Sequence, residues 1–160
     1  MAIIYTLENF FVEAVEEAHV DRDDGGHIAI HPKVEVLDRQ DLSAKLAIEL
    51  MRLTIVVGQA MTKIMKDHGV DIWRINYQDN GNWQLLNPKG STLHVHLYGR
   101  AKNAKTHKYG QACFFPHINE DPGYYENFNP LNEDDVQDIK TEIENILKEE
   151  KFSNSEWGLF

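Results

Sequence analysis

The sequence predicts an α+β domain in which an antiparallel sheet is covered by one long helix and accompanied by a second helix near the C-terminus. Three observations predict this architecture. Two short apolar segments flank a turn rich in aspartate and glycine, as in a hairpin. A stripe of apolar residues at spacings of three and four runs through residues 46–64, which is typical of a helix. Residues 92–100 alternate between apolar and polar side chains, which is typical of a strand.

The N-terminal half supplies the hairpin and the long helix. Residues 10–16 and 27–31 are the predicted strands, and paired glycines in the turn between them permit positive φ. Asp41 or Ser43 is the predicted cap of the long helix, and Gly69 is the predicted residue past its end. The stripe that we expect to face the core consists of Leu46, Leu50, Leu53, Val57, Met61 and Ile64.

The C-terminal half supplies two more strands and the last helix. Residues 71–77 and 92–100 are the predicted strands, and the dipeptide Asn80-Gly81 predicts a turn between them. Asn132 is the predicted cap of the last helix, whose first turn is acidic, as the helix dipole favours.

Length and charge limit the classes of protein. A chain of 160 residues suits one domain, and its formal net charge of −10 argues against nucleic acid or an anionic membrane as a general partner. No apolar run approaches the ~18 residues that span a bilayer, and the first residues lack the features of a secretory signal. Cys113 is the single cysteine, which fits a reducing compartment. We therefore expect a cytoplasmic protein.

One stretch of this acidic chain carries no acidic residue. It lies between Asp79 and Glu120 and contains five basic residues, which are Lys89, Arg100, Lys102, Lys105 and Lys108. Such a stretch predicts a local site for a small anion. A solvated basic loop is the alternative interpretation.

Two histidines of the alternating strand are the candidates for chemistry. His94 and His96 share a face with Thr92 and Tyr98, whereas the apolar residues between them point to the core. A neutral imidazole is a good nucleophile at phosphorus near neutral pH. Two alternatives stay open at this point: a polar strand face that happens to hold histidines, and a zinc site, which lacks an obvious third and fourth ligand.

Three segments in order resemble the histidine triad (HIT) family of nucleotide hydrolases and transferases. The family motif is His-φ-His-φ-His-φ-φ, where φ is apolar, and Thr92-Leu93-His94-Val95-His96-Leu97-Tyr98 followed by Arg100 is similar to it. Upstream, Gly26-His27-Ile28-Ala29-Ile30-His31-Pro32-Lys33 resembles the family's Gly-His-φ-φ-φ-x-Pro-Lys strand. Residues 75–81 resemble the strand and turn that precede the motif, so the resemblance covers roughly residues 5 to 110.

The resemblance implies a HIT-like fold over residues 1–128, with a C-terminal helical extension over residues 129–160 packed on the same domain. It implies attack by the middle histidine, here His94, on the α-phosphate of a nucleotide derivative, followed by hydrolysis of the nucleotidyl-histidine. Candidate substrates are a dinucleoside polyphosphate, a nucleoside phosphoramidate and an adenylylated small molecule. The expected assembly is a homodimer, and no cofactor and no metal are expected.

The resemblance also assigns the remaining residues of the predicted site. His96 joins His94 in the catalytic pair, and His27, Ser91, Arg100 and Lys89 are the expected phosphate-binding residues. Val20, Asp21 and Asn80 are the expected nucleoside-binding residues, with a structural role in the turn or the core as the alternative for the first two.

Two departures from the family pattern bear on activity. The first histidine of the motif is Thr92 here, which keeps the backbone carbonyl that orients the nucleophile but loses an imidazole. The family's Gly-Gln-Ser or Gly-Gln-Thr is replaced by Asn87-Pro88-Lys89-Gly90-Ser91, so Lys89 or Ser91 would have to contact the leaving group. The alternative function is therefore a nucleotide-binding module that lost turnover with the first histidine.

Overall fold

A computed structural model of the chain describes residues 2–79, 81 and 91–160. Asn80 and Lys89, two of the predicted site residues, lie outside the described residues. Within this part of the chain, five strands form one sheet in the order β1-β2-β3-β5-β4, and every neighbouring pair is antiparallel. The strands are β1 Ala2–Thr6, β2 Phe10–Ala14, β3 His27–Pro32, β4 Ile72–Gln78 and β5 Val95–Ala101. The α+β class and the antiparallel sheet are thus confirmed.

The long helix α1, Ala44–Asp67, follows the predicted pattern. The hydroxyl oxygen of Ser43 accepts a hydrogen bond from the backbone N–H of Leu46 at 3.3 Å, which identifies Ser43 as the N-cap. His68 is the C-cap, and Gly69 follows with a φ of 88°, a conformation that suits glycine. The apolar stripe packs against β4 and β5 and forms the core with the inner face of the sheet.

The second long helix, α2, covers Glu133–Ile146 and packs against α1 and β1. Asn132 and Asp135 form a capping box in which each side chain bonds the backbone N–H of the other. A short helix α3, Asn154–Trp157, follows and contacts α1. The division of the chain near residue 128 stays a prediction.

Asp135 joins three parts of the fold. Its carboxylate accepts hydrogen bonds from Nε of Arg22 at 2.6 Å and from Nδ1 of His68 at 2.7 Å. Arg22 belongs to the turn between β2 and β3, and His68 ends α1, so one buried carboxylate ties the turn and both helices together. The hydrogen bonds to Asp135 and Asp138 raise the pKa of His68 above its ordinary value, although burial opposes them.

Two glycines allow β3 to begin close to β5. Gly25 has a φ of 135°, and the backbone N–H of Gly99 donates to the carbonyl of Gly26 at 3.1 Å. A Cβ added at Gly99 would lie 2.2 Å from the carbonyl oxygen of Gly25, and one added at Gly25 would lie 2.3 Å from the backbone of Gly99. Only glycine fits at either position, and this close approach places His27 beside β5.

Over the described residues, no helix combines the length and the apolar character that a membrane crossing requires.

Candidate functional site

His27 and His96 lie on the face of the sheet opposite α1. In the register between β3 and β5, His27 pairs with Tyr98 and Ala29 pairs with His96. Directly paired residues of antiparallel strands share a face, so these side chains point away from the core. On the inner face, Leu93, Val95 and Leu97 are buried, as the alternation predicts.

His94 is held by one hydrogen bond to the backbone. Its Nδ1 lies 2.8 Å from the carbonyl oxygen of Thr92. A carbonyl can only accept, so Nδ1 carries the proton and Nε2 keeps its lone pair. Nε2 has no hydrogen-bond partner among the described residues, and the side chain is only half-buried. In the neutral ring, this hydrogen bond therefore leaves Nε2 with an available lone pair, on a side chain that is partly exposed.

The tautomers of His27 and His96 follow from a chain of hydrogen bonds that starts at the backbone. The N–H of His19 donates to Nδ1 of His27 at 3.2 Å, so Nδ1 is an acceptor and Nε2 of His27 carries the proton. Nε2 of His27 lies 2.8 Å from Nδ1 of His96 and donates to it. In neutral His96 the remaining proton is then on Nε2. This chain makes His96 a hydrogen-bond donor beside His94, whose ring meets that of His96 edge-on at 4.6 Å.

Burial keeps this chain of histidines uncharged. Burial, and then the neighbouring histidines, lowers the pKa of His27 well below its ordinary value and that of His96 to about 3. The same causes lower the pKa of His19 to about 4. Near neutral pH, the three rings are therefore neutral and their tautomers are fixed by hydrogen bonding.

His27 is placed differently from its predicted role. Its side chain is 1% exposed, and both of its ring nitrogens are engaged by His19 and His96. The structure therefore places His27 behind His96, and its predicted direct contact with phosphate stays a prediction. Sequence alone places His27 beside the motif strand but cannot show that His96 lies in front of it.

Arg100 is also placed differently from its predicted role. It is buried, and its guanidinium donates to the side-chain oxygen of Asn76 and to the carbonyl oxygens of Lys108 and Gln111. Six residues of strand separate Arg100 from His94, which corresponds to about 20 Å. Arg100 therefore anchors the segment that follows β5, and its predicted contact with phosphate stays a prediction.

The segment that follows β5 covers the far end of the histidine face. The carboxylate of Asp24 accepts from three successive backbone N–H groups, those of Lys105, Thr106 and His107, at 2.6, 2.8 and 3.0 Å. Beyond this anchor, the ring of Phe115 packs on Tyr98, with 4.6 Å between centroids, and Tyr98 is fully buried. The site is thus open at His94 and closed beyond His96.

The predicted nucleoside-binding residues that the structure describes take structural positions. Val20 is completely buried, so its side chain does not reach a ligand. The two carboxylate oxygens of Asp21 accept from the backbone N–H groups of Asp23 and Asn129, at 2.8 and 2.7 Å. These positions favour the alternative roles in the core and the turn, and the predicted nucleoside contacts of Val20 and Asp21 stay predictions. Ser91 lies beside Gly81 near the start of the motif strand, and its role in phosphate binding stays a prediction.

Sequence reasoning assigned no role to His31, which lies beside His94, or to Glu13, which bonds His31. The ring of His31 lies nearly parallel to that of His94, with 5.5 Å between centroids, and Nε2 of His31 bonds the carboxylate of Glu13 at 2.8 Å. A cavity of about 270 Å³ lies next to this pair and is lined by residues that include Phe11, His31, Lys33 and Thr92. The available signal was the period of two along β3, which puts His31 on the same face as His27.

In the ranges 2–79 and 91–160 together with residue 81, no group of three or more His, Cys, Asp and Glu side chains is arranged to hold a metal ion. Of the described histidines, His27 and His96 bond each other, His94 bonds the backbone, and His31 and His68 bond carboxylates.

Comparison with known proteins gives a likeness in structure. No protein family model and no curated protein sequence matches the chain. A histidine triad protein from Bradyrhizobium japonicum superposes with a TM-score of 0.59 at 18% identity, over 89% of this chain and 87% of that one. A hypothetical histidine triad nucleotide-binding protein from Sulfolobus tokodaii gives 0.57 at 16%, over 91% and 85%. A zinc-bound histidine triad family protein from Mycobacterium smegmatis gives 0.53 at 15%, over 90% and 84%. The sheet order, the covering helix and these superpositions together show that the chain has the HIT-like fold.

Proposed function

We propose that this protein is a nucleotide phosphohydrolase or nucleotidyl transferase that works through a nucleotidyl-histidine intermediate on His94. The observation that carries the proposal is the hydrogen bond from Nδ1 of His94 to the carbonyl of Thr92, because in the neutral ring it leaves Nε2 unprotonated. Threonine supplies the same carbonyl as histidine would, so the loss of the first imidazole of the motif does not remove this orientation.

In the first step, the lone pair on Nε2 of His94 forms a bond to the α-phosphorus. The bond from phosphorus to the leaving group breaks, and the leaving group takes the electron pair. Nδ1 keeps its proton, which remains hydrogen-bonded to the carbonyl oxygen of Thr92, so the adduct is a phosphoryl imidazolium. In the second step, water attacks phosphorus and loses a proton to solvent, and the N–P electron pair returns to Nε2. One difficult displacement thus becomes two easier ones.

The charge that develops on the phosphate oxygens needs fixed donors. The Nε2–H of His96 is such a donor, since its tautomer is set by His27 and it lies beside His94. Ser91 and Lys89 are the further donors that we propose on the leaving-group side.

The test is turnover of a small panel by wild type and His94→Ala. The panel contains a diadenosine polyphosphate, an adenosine phosphoramidate and an aminoacyl adenylate, and release of nucleoside monophosphate is measured. We expect release by wild type and by the control His117→Ala, a nucleotidyl adduct on His94 after rapid acid quench, and neither in His94→Ala. Nucleotide binding without release by wild type would instead identify a binding module. An equal rate in His94→Ala would overturn the proposal.

We further propose that the protein is a homodimer formed through β4 and α1. Strand β4 is at one edge of the described sheet, and its Trp73 and Tyr77 are about half exposed. Beside this edge, a groove of about 400 Å³ is lined mainly by apolar residues, including Met51 and Ile55 of α1. An edge strand next to an apolar groove suits pairing with a second copy. Sedimentation should give twice the chain mass for wild type and the chain mass for Met51→Asp; a wild-type monomer would refute the dimer.

A further inference from the structure

The ring of His31 connects the candidate nucleophile to a neighbouring strand. It lies parallel to the ring of His94 within 12°, and it also stacks on Phe11, with 4.7 Å between centroids and 8° between planes. Phe11 and His31 are paired in the register between β2 and β3. The ring of His31, which is itself stacked on Phe11, therefore restricts the plane of the His94 ring, while the carbonyl of Thr92 accepts a hydrogen bond from its Nδ1.

Glu13 sets the tautomer and the charge of this neighbour. Nε2 of His31 lies 2.8 Å from Oε1 of Glu13, and because a carboxylate only accepts, Nε2 carries the proton. Burial lowers the pKa of His31, and Glu13 only partly opposes this effect. Near neutral pH, the pair is thus a neutral imidazole and a carboxylate, with one net negative charge. Both side chains are largely buried, at 24% and 13% exposed, so solvent screens this charge only in part.

A negative charge in this position matters because the ring of His94 becomes positive during the reaction. When Nε2 bonds phosphorus while Nδ1 keeps its proton, the imidazole becomes an imidazolium. We infer that Glu13 and His31 are a positioning pair that stabilises the nucleotidyl imidazolium on His94 and the transition state leading to it. This inference rests on the proposed function. The negative charge of Glu13 acts electrostatically across His31, which lies between Glu13 and His94. The π face of His31 stacks directly on the His94 ring that becomes positive.

The charge of the pair changes with pH in a defined direction. The titratable groups around His31 are Glu13 on β2, His94 at the start of the motif strand, His27 and His96 on the same face of the sheet, and Lys33 and Glu35 at the cavity. Below the pKa of His31, protonation adds a positive charge against the ring that must become positive. Activity should therefore fall on the acidic side as His31 is protonated.

Glu13→Gln tests the inference with little change of shape, since glutamine still offers an oxygen to Nε2 of His31. We expect kcat to fall about tenfold. This is the change in rate that follows when charge stabilisation equivalent to about one pKa unit is lost from the transition state. KM should stay within about twofold, because the charge acts on a state that the bound substrate has not reached. Glu17→Gln is the matched control, since Glu17 is an exposed carboxylate in the loop after β2, and its kcat should equal that of wild type.

The pH profile separates charge stabilisation from a structural role. Glu13 raises the pKa of His31, so its removal should move the acidic limb of kcat to lower pH. An unchanged kcat, an unshifted acidic limb, or a change confined to KM would each overturn the inference. Failure of the proposed function has a different result, because wild type would then form no adduct on His94. If only the inference fails, both wild type and Glu13→Gln still form the adduct and turn over substrate.

Discussion

Nε2 of His27 donates to Nδ1 of His96 at 2.8 Å, and this bond determines which nitrogen of His96 carries a proton. The direction is imposed from the backbone, because the N–H of His19 occupies the other nitrogen of His27. A buried residue thereby controls the donor that we propose beside the reacting phosphate.

Replacing His27 should weaken catalysis without removing the nucleophile. In His27→Phe, Nδ1 of His96 loses its donor, and the two tautomers of His96 become available. We expect kcat to fall about 10- to 100-fold, the cost usually seen when the partner that orients a functional histidine is removed. Turnover kinetics together with the ¹⁵N shifts of His96 measure both effects. A single unchanged tautomer of His96 in the variant would contradict the proposed chain.

The side chain of Thr92 should matter far less than its carbonyl. Thr92→Ala keeps the carbonyl that accepts from Nδ1 of His94, so kcat should stay within about threefold of wild type, less than the ~1.4 kcal/mol of a tenfold change. Steady-state kinetics on the best substrate of the panel is the measurement. A loss comparable to that of His94→Ala would show that the hydroxyl itself takes part.

The fold could be predicted from the sequence because its signals are local. The stripe in α1, the caps Ser43 and Asn132 and the alternation of β5 each follow from neighbouring residues. Strand β1 was not predicted. Its five residues include one buried side chain, Ile4, and the pairing with β2 that makes it a strand is not local.

The hydrogen bond that orients His94 could be predicted from the sequence, because the backbone of the motif determines it. The bond between His94 and Thr92 spans two residues, and the structure has it as expected. The position of Arg100 could not be predicted in the same way. Its backbone acceptors are carbonyls of an irregular segment, and the path of that segment depends on Asp24, which is far away in sequence. The contact between His31 and His94 could not be predicted for a related reason, because it depends on the register between β3 and β5.

The stability of the protein should fall as the pH falls below about 6.5. His96 has a folded pKa of about 3, so below its ordinary pKa the unfolded state binds a proton that the folded state does not. At pH 5, which is about 1.5 pH units below the ordinary pKa of histidine, this extra proton favours the unfolded state by about 2 kcal/mol. The loss of unfolding free energy between pH 7 and pH 5 should therefore be about 2 kcal/mol smaller in His96→Gln than in wild type. The raised pKa of His68 acts in the opposite direction but is present in both proteins. Urea unfolding at the two pH values measures the difference, and equal losses would show that His96 is protonated in the folded state.

The approach of Gly99 to Gly25 should be one of the least tolerant contacts of the fold. An added methyl group at Gly99 would meet the carbonyl oxygen of Gly25 at 2.2 Å, and backbone on both sides leaves nothing flexible to move. We expect Gly99→Ala to lower the free energy of unfolding by about 3 kcal/mol or more, because the added methyl group overlaps backbone atoms. Gly123→Ala is the matched control, because a Cβ there has no heavy atom within 4 Å among the described residues, and its stability should stay within about 0.5 kcal/mol of wild type. Since the same contact places His27 beside β5, any Gly99→Ala protein that still folds should also have a displaced His96 and a lower kcat. A variant as stable and as active as wild type would show that β3 can separate from β5 at this point without disturbing the site.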